Sequence, residues 1–418
     1  MNIPILRFFN IIIFLLGFFI RLRFFKNYKK IVKKIERMGP TFIKLGQSFA
    51  TRSDIIDPEF ANQLLNLCDN ISSASFVYIK RTIERELKAK TQDIFLKLEE
   101  VPVASASIAQ VHKAQTKCGK FVAVKVLKKN IEKRFKTDIK IILFCARIAS
   151  FFLPKRLNVV RAIKRFAQSA NYELDLRMEA SFASELKSNT KNDYGLLIPK
   201  VFWDLTAQRV LTTEWIDGVP LTKFKQNNQK IVNRLVLMFF KQVYRDGFFH
   251  ADVHPGNIFI TSDEKIALVD FGIVGRVDDQ TKIYLLEVIK GFLNRDYKSV
   301  AETHFRAGYV DRKFVNFSTA CRAIGEPIVG KPLNQISVSD LLAQLFKLAA
   351  DFEMEIQPHL LLLQKNLMML EGNCAKIAPN TNMWKVMSSF IRQWYSTEMR
   401  LSKRLTDKVF AKIRSLQF

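Results

Sequence analysis

A chain of 418 residues with 48% hydrophobic side chains, 12 Pro and 15 Gly can bury a large core in about two or three domains, which excludes a disordered or low-complexity protein. Against 39 Asp and Glu stand 66 Lys and Arg, a formal charge of +27, and that excess calls for a polyanionic partner, either anionic lipid or nucleic acid. Cys68, Cys118, Cys145, Cys321 and Cys374 are scattered with no C-x-x-C pair, so zinc and a disulfide framework are set aside and a cytosol-facing protein is expected.

The chain begins with an apolar stretch over residues 3–20, broken only by Arg7 and Asn10 and followed by Arg21, Arg23, Lys26, Lys29, Lys30, Lys33 and Lys34. Its length is marginal for a spanning helix, which needs about 20 residues. No small-residue cleavage site of the A-x-A kind follows, which argues against a removed signal peptide. A core helix is one reading. The long apolar run from Phe8 into a basic cluster favours another, a monotopic or shallowly inserted anchor on anionic headgroups. Spanning and peripheral attachment stay open.

Residues 28 to about 90 read as helices, with Pro40 as a first-turn start and a further helix from Asp57-Pro58 through Ala61, Leu64, Leu65 and Cys68. The texture then changes to the short strands IFLKLEEV, AQVHKAQT and KFVAVKVL, the last two joined at Cys118-Gly119-Lys120. Helices resume from about Asn130 to Leu186, and a strand pair is expected over Pro199 to Glu214. From Leu221 onward the pattern is mainly helical. It is interrupted by NIFI and KIALVDFG, which read as a hairpin through Thr261-Ser262-Asp263-Glu264. The stretch from Asn382 to Phe418 is basic, with Trp384, Trp394, Tyr395 and Phe410 interspersed, and suits a solvated helical face or a membrane surface equally. No zinc finger, RNP-like or helix-turn-helix pattern supports nucleic-acid binding.

The chemistry concentrates in HADVHPGN (His250 to Asn257) and the following LVDFG. Phosphoryl transfer needs oxygen ligands for Mg²⁺ and a carboxylate near the attacking group. Kinase-like sites take an Asp and an Asn from a catalytic loop and a second Asp from D-F-G. Here these are Asp252 as catalytic carboxylate and Asn257 and Asp270 as metal ligands, with Phe271 and Gly272 completing D-F-G. Upstream, VAVK ends in Lys125 on a strand, where a lysine reaches the nucleotide phosphates and pairs with a helix glutamate. Glu214 closes the expected strand pair and joins the nucleotide-binding candidates.

Three departures from ordinary kinases stand out. In place of G-x-G-x-x-G the chain has Ala104, Ser105, Ala106 and Ser107, whose Cβ atoms restrict the loop while backbone and Ser donors still suit an anion. His250-Ala251-Asp252 lacks the arginine of H-R-D. After Gly272 the chain reaches Asp278-Asp279, a helix start followed by Ile283, Leu286, Ile289 and Leu293, so no long activation segment ending in A-P-E fits. A peptide-holding platform is therefore not expected.

These residues resemble the UbiB family over roughly residues 30–375. GPTFIKLGQSFATRSD contains its K-x-G-Q as Lys44-Leu45-Gly46-Gln47, and ELDLRMEA contains its E-x-D as Glu173-Leu174-Asp175. The alanine-rich loop, H-x-D-x-H-P-G-N and D-F-G complete the set. The resemblance implies an α+β, atypical bilobal protein-kinase-like fold with an N-terminal helical extension that covers the site and obstructs protein substrates. It also implies Glu179 as the partner of Lys125, regulatory roles for Lys44, Gln47, Glu173 and Asp175, binding of ATP and Mg²⁺, and a membrane-associated role in ubiquinone production with pathway lipids or enzymes as partners. Without the resemblance, Lys44, Gln47, Ser48 and Thr51 read as a solvated helix face opposite Phe42, Leu45 and Phe49.

The expected organisation is a membrane-associating segment over 1–27, the helical extension over 28–93, a kinase-like N-lobe with inserted helices over 94–215, and a helical C-lobe with a basic tail over 216–418. Beside an ATPase or small-molecule kinase, a protein kinase and a nucleotide-binding scaffold without turnover remain as alternatives.

Overall fold

The computed structural model describes residues 3–24, 28–50, 73–152, 159–329, 337–352 and 357–379, with isolated positions besides. Of the helix expected from Asp57, Phe60, Gln63 and Leu64 are described and helical, with Phe60 and Leu64 buried, and its other residues lie outside the described ones, as does nearly all of the basic stretch from Asn382. The chain forms two compact units. The first comprises Met1–Lys187, Ile198–Asp217 and Asp270–Ile273; the second comprises Ser188–Leu197, Gly218–Val269 and Val274–Phe418.

The first unit opens with α1 (Ile3–Phe24), α2 (Tyr28–Met38) and α3 (Pro40–Ala50). Tyr28, Ile31, Ile35 and Met38 give α2 its buried stripe, while Lys29, Lys30 and Lys33 stay exposed. Gly39, at φ 93°, turns α2 into α3, and a Cβ there would run into the Arg134 guanidinium. α4 (Phe76–Leu87) then covers a sheet built from β1 (Phe95–Leu98), β2 (Ala104–Ser105), β3 (Ala109–Thr116) and β4 (Phe121–Leu127). Strand alternation decides which side chains α4 meets. Val122, Val124 and Val126 are fully buried against Ile79 and Ile83 of α4, so Ala123 and Lys125 take the opposite face.

Helices α5 (Ile131–Ala149), α6 (Val159–Glu173) and α7 (Leu176–Asn189) occupy the expected helical region. After giving β5 (Leu196–Leu197) to the second unit, the chain returns as β6 (Val210–Glu214), which pairs with β4 to complete the order β1-β3-β4-β6, with β2 on β3. The strand pair expected over Pro199 to Glu214 is reduced to β6 and two isolated bridges, Val201 to Thr213 and Ala207 to Val210. Between them Trp203–Leu205 turns as a 3₁₀ helix. The cause is local: Thr206 Oγ1 donates to Phe202 O and Thr212 Oγ1 to Leu205 O, side-chain bonds that favour a turn over a ladder.

α1 is fastened to this unit. Arg7 donates to both carboxylate oxygens of the fully buried Asp138 at 2.7 Å and to Met38 O at 2.8 Å. Ile11 and Phe14 are buried, whereas Ile5, Leu6, Phe9 and Ile13 are 57–65% exposed. The core-helix and anchor readings thus describe opposite faces of one helix. Among the described residues, no helix is long and apolar enough to cross a membrane.

In the second unit, β9 (Ile258–Ile260) and β10 (Ile266–Leu268) form the expected hairpin inside a sheet of order β5-β10-β9-β7, where β7 is Val219–Pro220. A separate ribbon pairs β8 (Phe248–His250) with β11 (Val274–Arg276). α8 (Gln229–Phe240) starts on Asn228, whose side chain accepts from Lys230 N and Ile231 N. It continues through Lys241–Asp246 as a π-helical turn ended by Gly247 at φ 63°. Asp278 caps α9 (Asp279–Leu293) as expected, accepting from Thr281 N. Ile283, however, faces outward, and Tyr284, Leu285, Val288 and Phe292 form the buried stripe with Leu286 and Ile289. α10 (Tyr297–Arg306), α11 (Phe317–Val329), α12 (Val338–Asp351) and α13 (Pro358–Ile377) complete the helical unit.

Candidate active site

Within the first unit, the register Ala104↔Val111↔Lys125↔Leu211 sets one residue of each of β2, β3, β4 and β6 in a row. Directly opposed residues share a sheet face, so Ala104 and Lys125 lie on the same side, two strands or about 10 Å apart. On that side Lys125 Nζ lies 2.8 and 2.9 Å from the two Glu179 oxygens and 3.1 Å from Asp270 Oδ1. Lys125 and Glu179 are 15% and 8% exposed at their side chains, and Asp270 is 46% exposed. Glu179 sits in the first turn of α7 and is no solvated helix residue. Asp270 is thus the member of the triad open to a ligand.

The charges hold one another. Burial works against the Lys125 ammonium, but Asp270 and then Glu179 raise its pKa above the ordinary value. Desolvation works against the Asp270 carboxylate too, yet Lys125, with help from Lys44, brings it down to about 2. Burial pushes Glu179 up, with Lys125 pulling against it. The D-F-G segment shapes itself around this. Asp270 takes φ 62°, a conformation Asp tolerates better than most residues, and Gly272 N donates to its Oδ1 at 3.3 Å. Phe271 is buried.

The Ala104–Ser107 loop forms the tip of the β2–β3 hairpin, with Ala106 N donating to Ala109 O and Lys128 Nζ to Ala106 O. Ser107 corrects one expectation. Its side chain is buried, with a hydroxyl that has no partner among the described residues, so it is not presented to solvent as an anion donor. Glu214, at the end of β6, is exposed and accepts from Lys200 N at 3.1 Å.

Lys44 on α3 pairs with Glu173 at the end of α6, 3.0 Å apart, both side chains under a fifth exposed. That overturns the reading of Lys44 as a solvated lysine. Asp175 does not join them: it accepts from Arg177 N, Nε and Nη2 at 3.1, 2.9 and 2.6 Å, a local lock that starts α7. Gln47 is half-buried on α3.

The second unit carries the HADVHPGN loop between β8 and β9. Buried His250 orders it from inside: Asp252 N donates to Nδ1 at 3.2 Å, and Nε2, which the network leaves as the N–H, lies 3.3 Å from Val269 O. Gln242 in the π-helical turn accepts from His250 N at 3.0 Å. Asn257 Nδ2 donates to Asp252 Oδ2 and O at 3.0 and 3.1 Å, which brings two predicted residues together. Sequence reasoning missed three others on α13. Lys365 Nζ lies 3.1 Å from Asp252 Oδ1, Asn366 accepts from Val253 N, and Asn373 donates to Val253 O. No spacing signal links positions so far apart; the only hint was polar residues within an apolar helix.

Among the described residues no three His, Cys, Asp or Glu cluster as a protein-only metal cage. Mg²⁺ characteristically takes one or two protein oxygens plus phosphate oxygens. The accessible, ionised Asp270 carboxylate and the Asn257 amide, whose N–H₂ end is already committed to Asp252, are donors of that type.

Residues 66–304 match the ABC1 atypical kinase-like domain and residues 321–382 the UbiB helical domain. A protein named probable protein kinase UbiB from Pseudomonas paraeruginosa is 38% identical over 375 residues, 86% of this chain and 70% of that one. The protein of the same name from Pasteurella multocida is 36% identical over 407 residues, 91% and 76% of the two chains. Among solved structures, Rv3197 from Mycobacterium tuberculosis, in complex with erythromycin, superposes with a TM-score of 0.53 at 21% identity, covering 83% of this chain and 92% of that one. The fold is therefore that of an ABC1 kinase-like domain, and the chain belongs to the UbiB family of atypical kinases.

Proposed function

We propose that this protein binds ATP with Mg²⁺ and turns it over as an atypical kinase/ATPase in support of ubiquinone biosynthesis. It acts on a small-molecule or lipid precursor, or remodels biosynthetic enzymes, at the cytosolic face of a membrane such as the bacterial inner membrane. The observation that carries the reading is Lys125, a strand lysine held charged between buried Glu179 and accessible Asp270. A cation so held suits nucleotide phosphates, and the Ala104 hairpin shares its sheet face. Asp270 and Asn257 would hold the metal, which when bound neutralises phosphate charge. Asp252 is the carboxylate for the attacking hydroxyl or water.

Protein substrates are disfavoured because β11 and the Asp278 cap follow D-F-G at once, leaving little chain for a peptide platform. The exposed apolar face of α1 and the exposed lysines of α2 support the membrane attachment. Phosphate release by the full chain, with and without anionic liposomes and a prenylated phenol, tests the proposal. Turnover that is stimulated by them and abolished by Asp270→Asn is expected. Nucleotide binding without turnover would make the protein a scaffold, and label transfer to a protein panel would restore the protein-kinase alternative.

A further inference from the structure

α13 lies inside the stretch that matches the UbiB helical domain, yet three of its polar side chains, Lys365, Asn366 and Asn373, are spent on the HADVHPGN loop. Asn366 and Asn373 are both buried in an otherwise leucine-rich helix, and a buried amide is costly unless it is bonded. Both bonds go to one residue: Asn366 Oδ1 accepts from Val253 N and Asn373 Nδ2 donates to Val253 O, each at 3.0 Å. Asn366 is itself set by donating to Leu362 O at 2.7 Å. The residue after Asp252 is thereby held from both sides of its peptide chain. Lys365, next to Asn366, is carried to Asp252 by the same wiring.

The Asp252 carboxylate is then shared, one oxygen to each partner: Oδ1 to Lys365 at 3.1 Å and Oδ2 to Asn257 at 3.0 Å. Two contacts on opposite oxygens fix the rotation of the carboxyl plane, and each oxygen keeps lone-pair capacity for an incoming hydroxyl. The loop from His250 to Asn257 contains no Lys or Arg of its own. A cation for its aspartate is supplied from more than a hundred residues away.

We propose that Lys365 is a positioning residue for Asp252, so that the helical domain completes the catalytic loop instead of only packing beneath it. This rests on Asp252 as the catalytic carboxylate. The test measures ATP hydrolysis by the full-length protein for Asp252→Asn, Lys365→Met, Lys365→Arg and the Asp252→Asn/Lys365→Met pair, each with a thermal melt. Lys365→Met is expected to lower kcat about 10- to 100-fold, a part of what a general base contributes, with KM for ATP within about twofold. Lys365→Arg should recover most of the loss. The paired variant should be no slower than Asp252→Asn alone, because residues acting as a unit are not additive.

Wild-type kcat in Lys365→Met, or losses that multiply in the paired variant, would overturn the inference while leaving the role of Asp252 intact. Full activity in Asp252→Asn would remove the reading beneath it. If Lys365→Met loses its cooperative melt, Lys365→Gln, which keeps a donor without the charge, takes its place with the same criteria.

Discussion

Replacing Lys125 by Met strands a carboxylate, and the structure sets how much that costs. At 2.8 Å from Glu179 the pair interacts by about 6 kcal/mol at an effective dielectric of 20. Asp270 also holds the ammonium, but it is half-exposed, so once stranded it is rehydrated and adds little to the loss. Stranded Glu179 need not stay charged, however. From its ordinary value of 4.5, taking a proton in the folded state costs about 3.4 kcal/mol at pH 7 and about 0.7 kcal/mol at pH 5. Protonation is cheaper than holding the bare charge, so it caps the loss.

Lys125→Met should therefore lower Tm by about 7–14 °C at pH 7 but only about 1–3 °C at pH 5, using 2–4 °C per kcal/mol. Melts of both proteins at the two pH values, compared as differences, make the measurement. Adding Glu179→Gln should flatten the dependence. A gap that is the same at pH 5 and pH 7, or absent at both, would refute the account of a buried, lysine-compensated Glu179.

Lys44→Ala should cost about 2 kcal/mol by stranding Glu173 and should alter catalysis, for example by exposing autophosphorylation. Lost stability with unaltered ATPase and autophosphorylation kinetics would make the pair a strut only. Ala104→Gly and Ala106→Gly should each shift ATP or ADP affinity by freeing the hairpin tip; unchanged binding in both, read by calorimetry, would separate that loop from the phosphates. His304 is buried against Tyr284 and Phe317, donates from Nδ1 to Val300 O, and has its pKa pulled down to about 4 by burial. The unfolded chain then binds a proton between pH 6.5 and 4 that the folded chain does not. Stability should be complete above pH 6.5 and fall by about 3 kcal/mol as pH drops through that window. Tm against pH should lose part of that slope in His304→Leu.

The β3–β4 hairpin and Lys125 were legible because alternation and a Cys-Gly turn are local signals that burial then obeys. Asp252, Asn257 and Asp270 were legible as a spaced set, although spacing alone says nothing of the His250 ring that orders the loop. Lys44–Glu173 could be named only through the family pattern, since periodicity places Lys44 on a polar face. The surroundings of Asp175 and Ser107 were not legible, for opposite reasons. The first is claimed by a neighbour two residues away, and the second is drawn inward by a hairpin tip too tight to be read from composition. Lys365 had no spacing signal, because tertiary contact at such separation leaves no period. The α1 segment was ambiguous in sequence because apolar residues run round most of it, and the Arg7–Asp138 pair with the burial of Ile11 and Phe14 distinguishes its two faces.

The pairing order of the first sheet also has a consequence for synthesis. β4 joins β3 as soon as both leave the ribosome, but its other edge waits for β6, with Val124 opposite Thr212. Translation at 5–20 residues per second leaves that edge unpaired for roughly 4–18 s. The lysine on it emerges ahead of its carboxylates, which follow 54 and 145 positions later. A nascent chain stalled before Glu179 emerges exposes an open strand edge and an uncompensated cation together. Ribosome pausing between Leu127 and Glu214 should therefore govern the yield of soluble protein more strongly than pausing in the C-terminal helices.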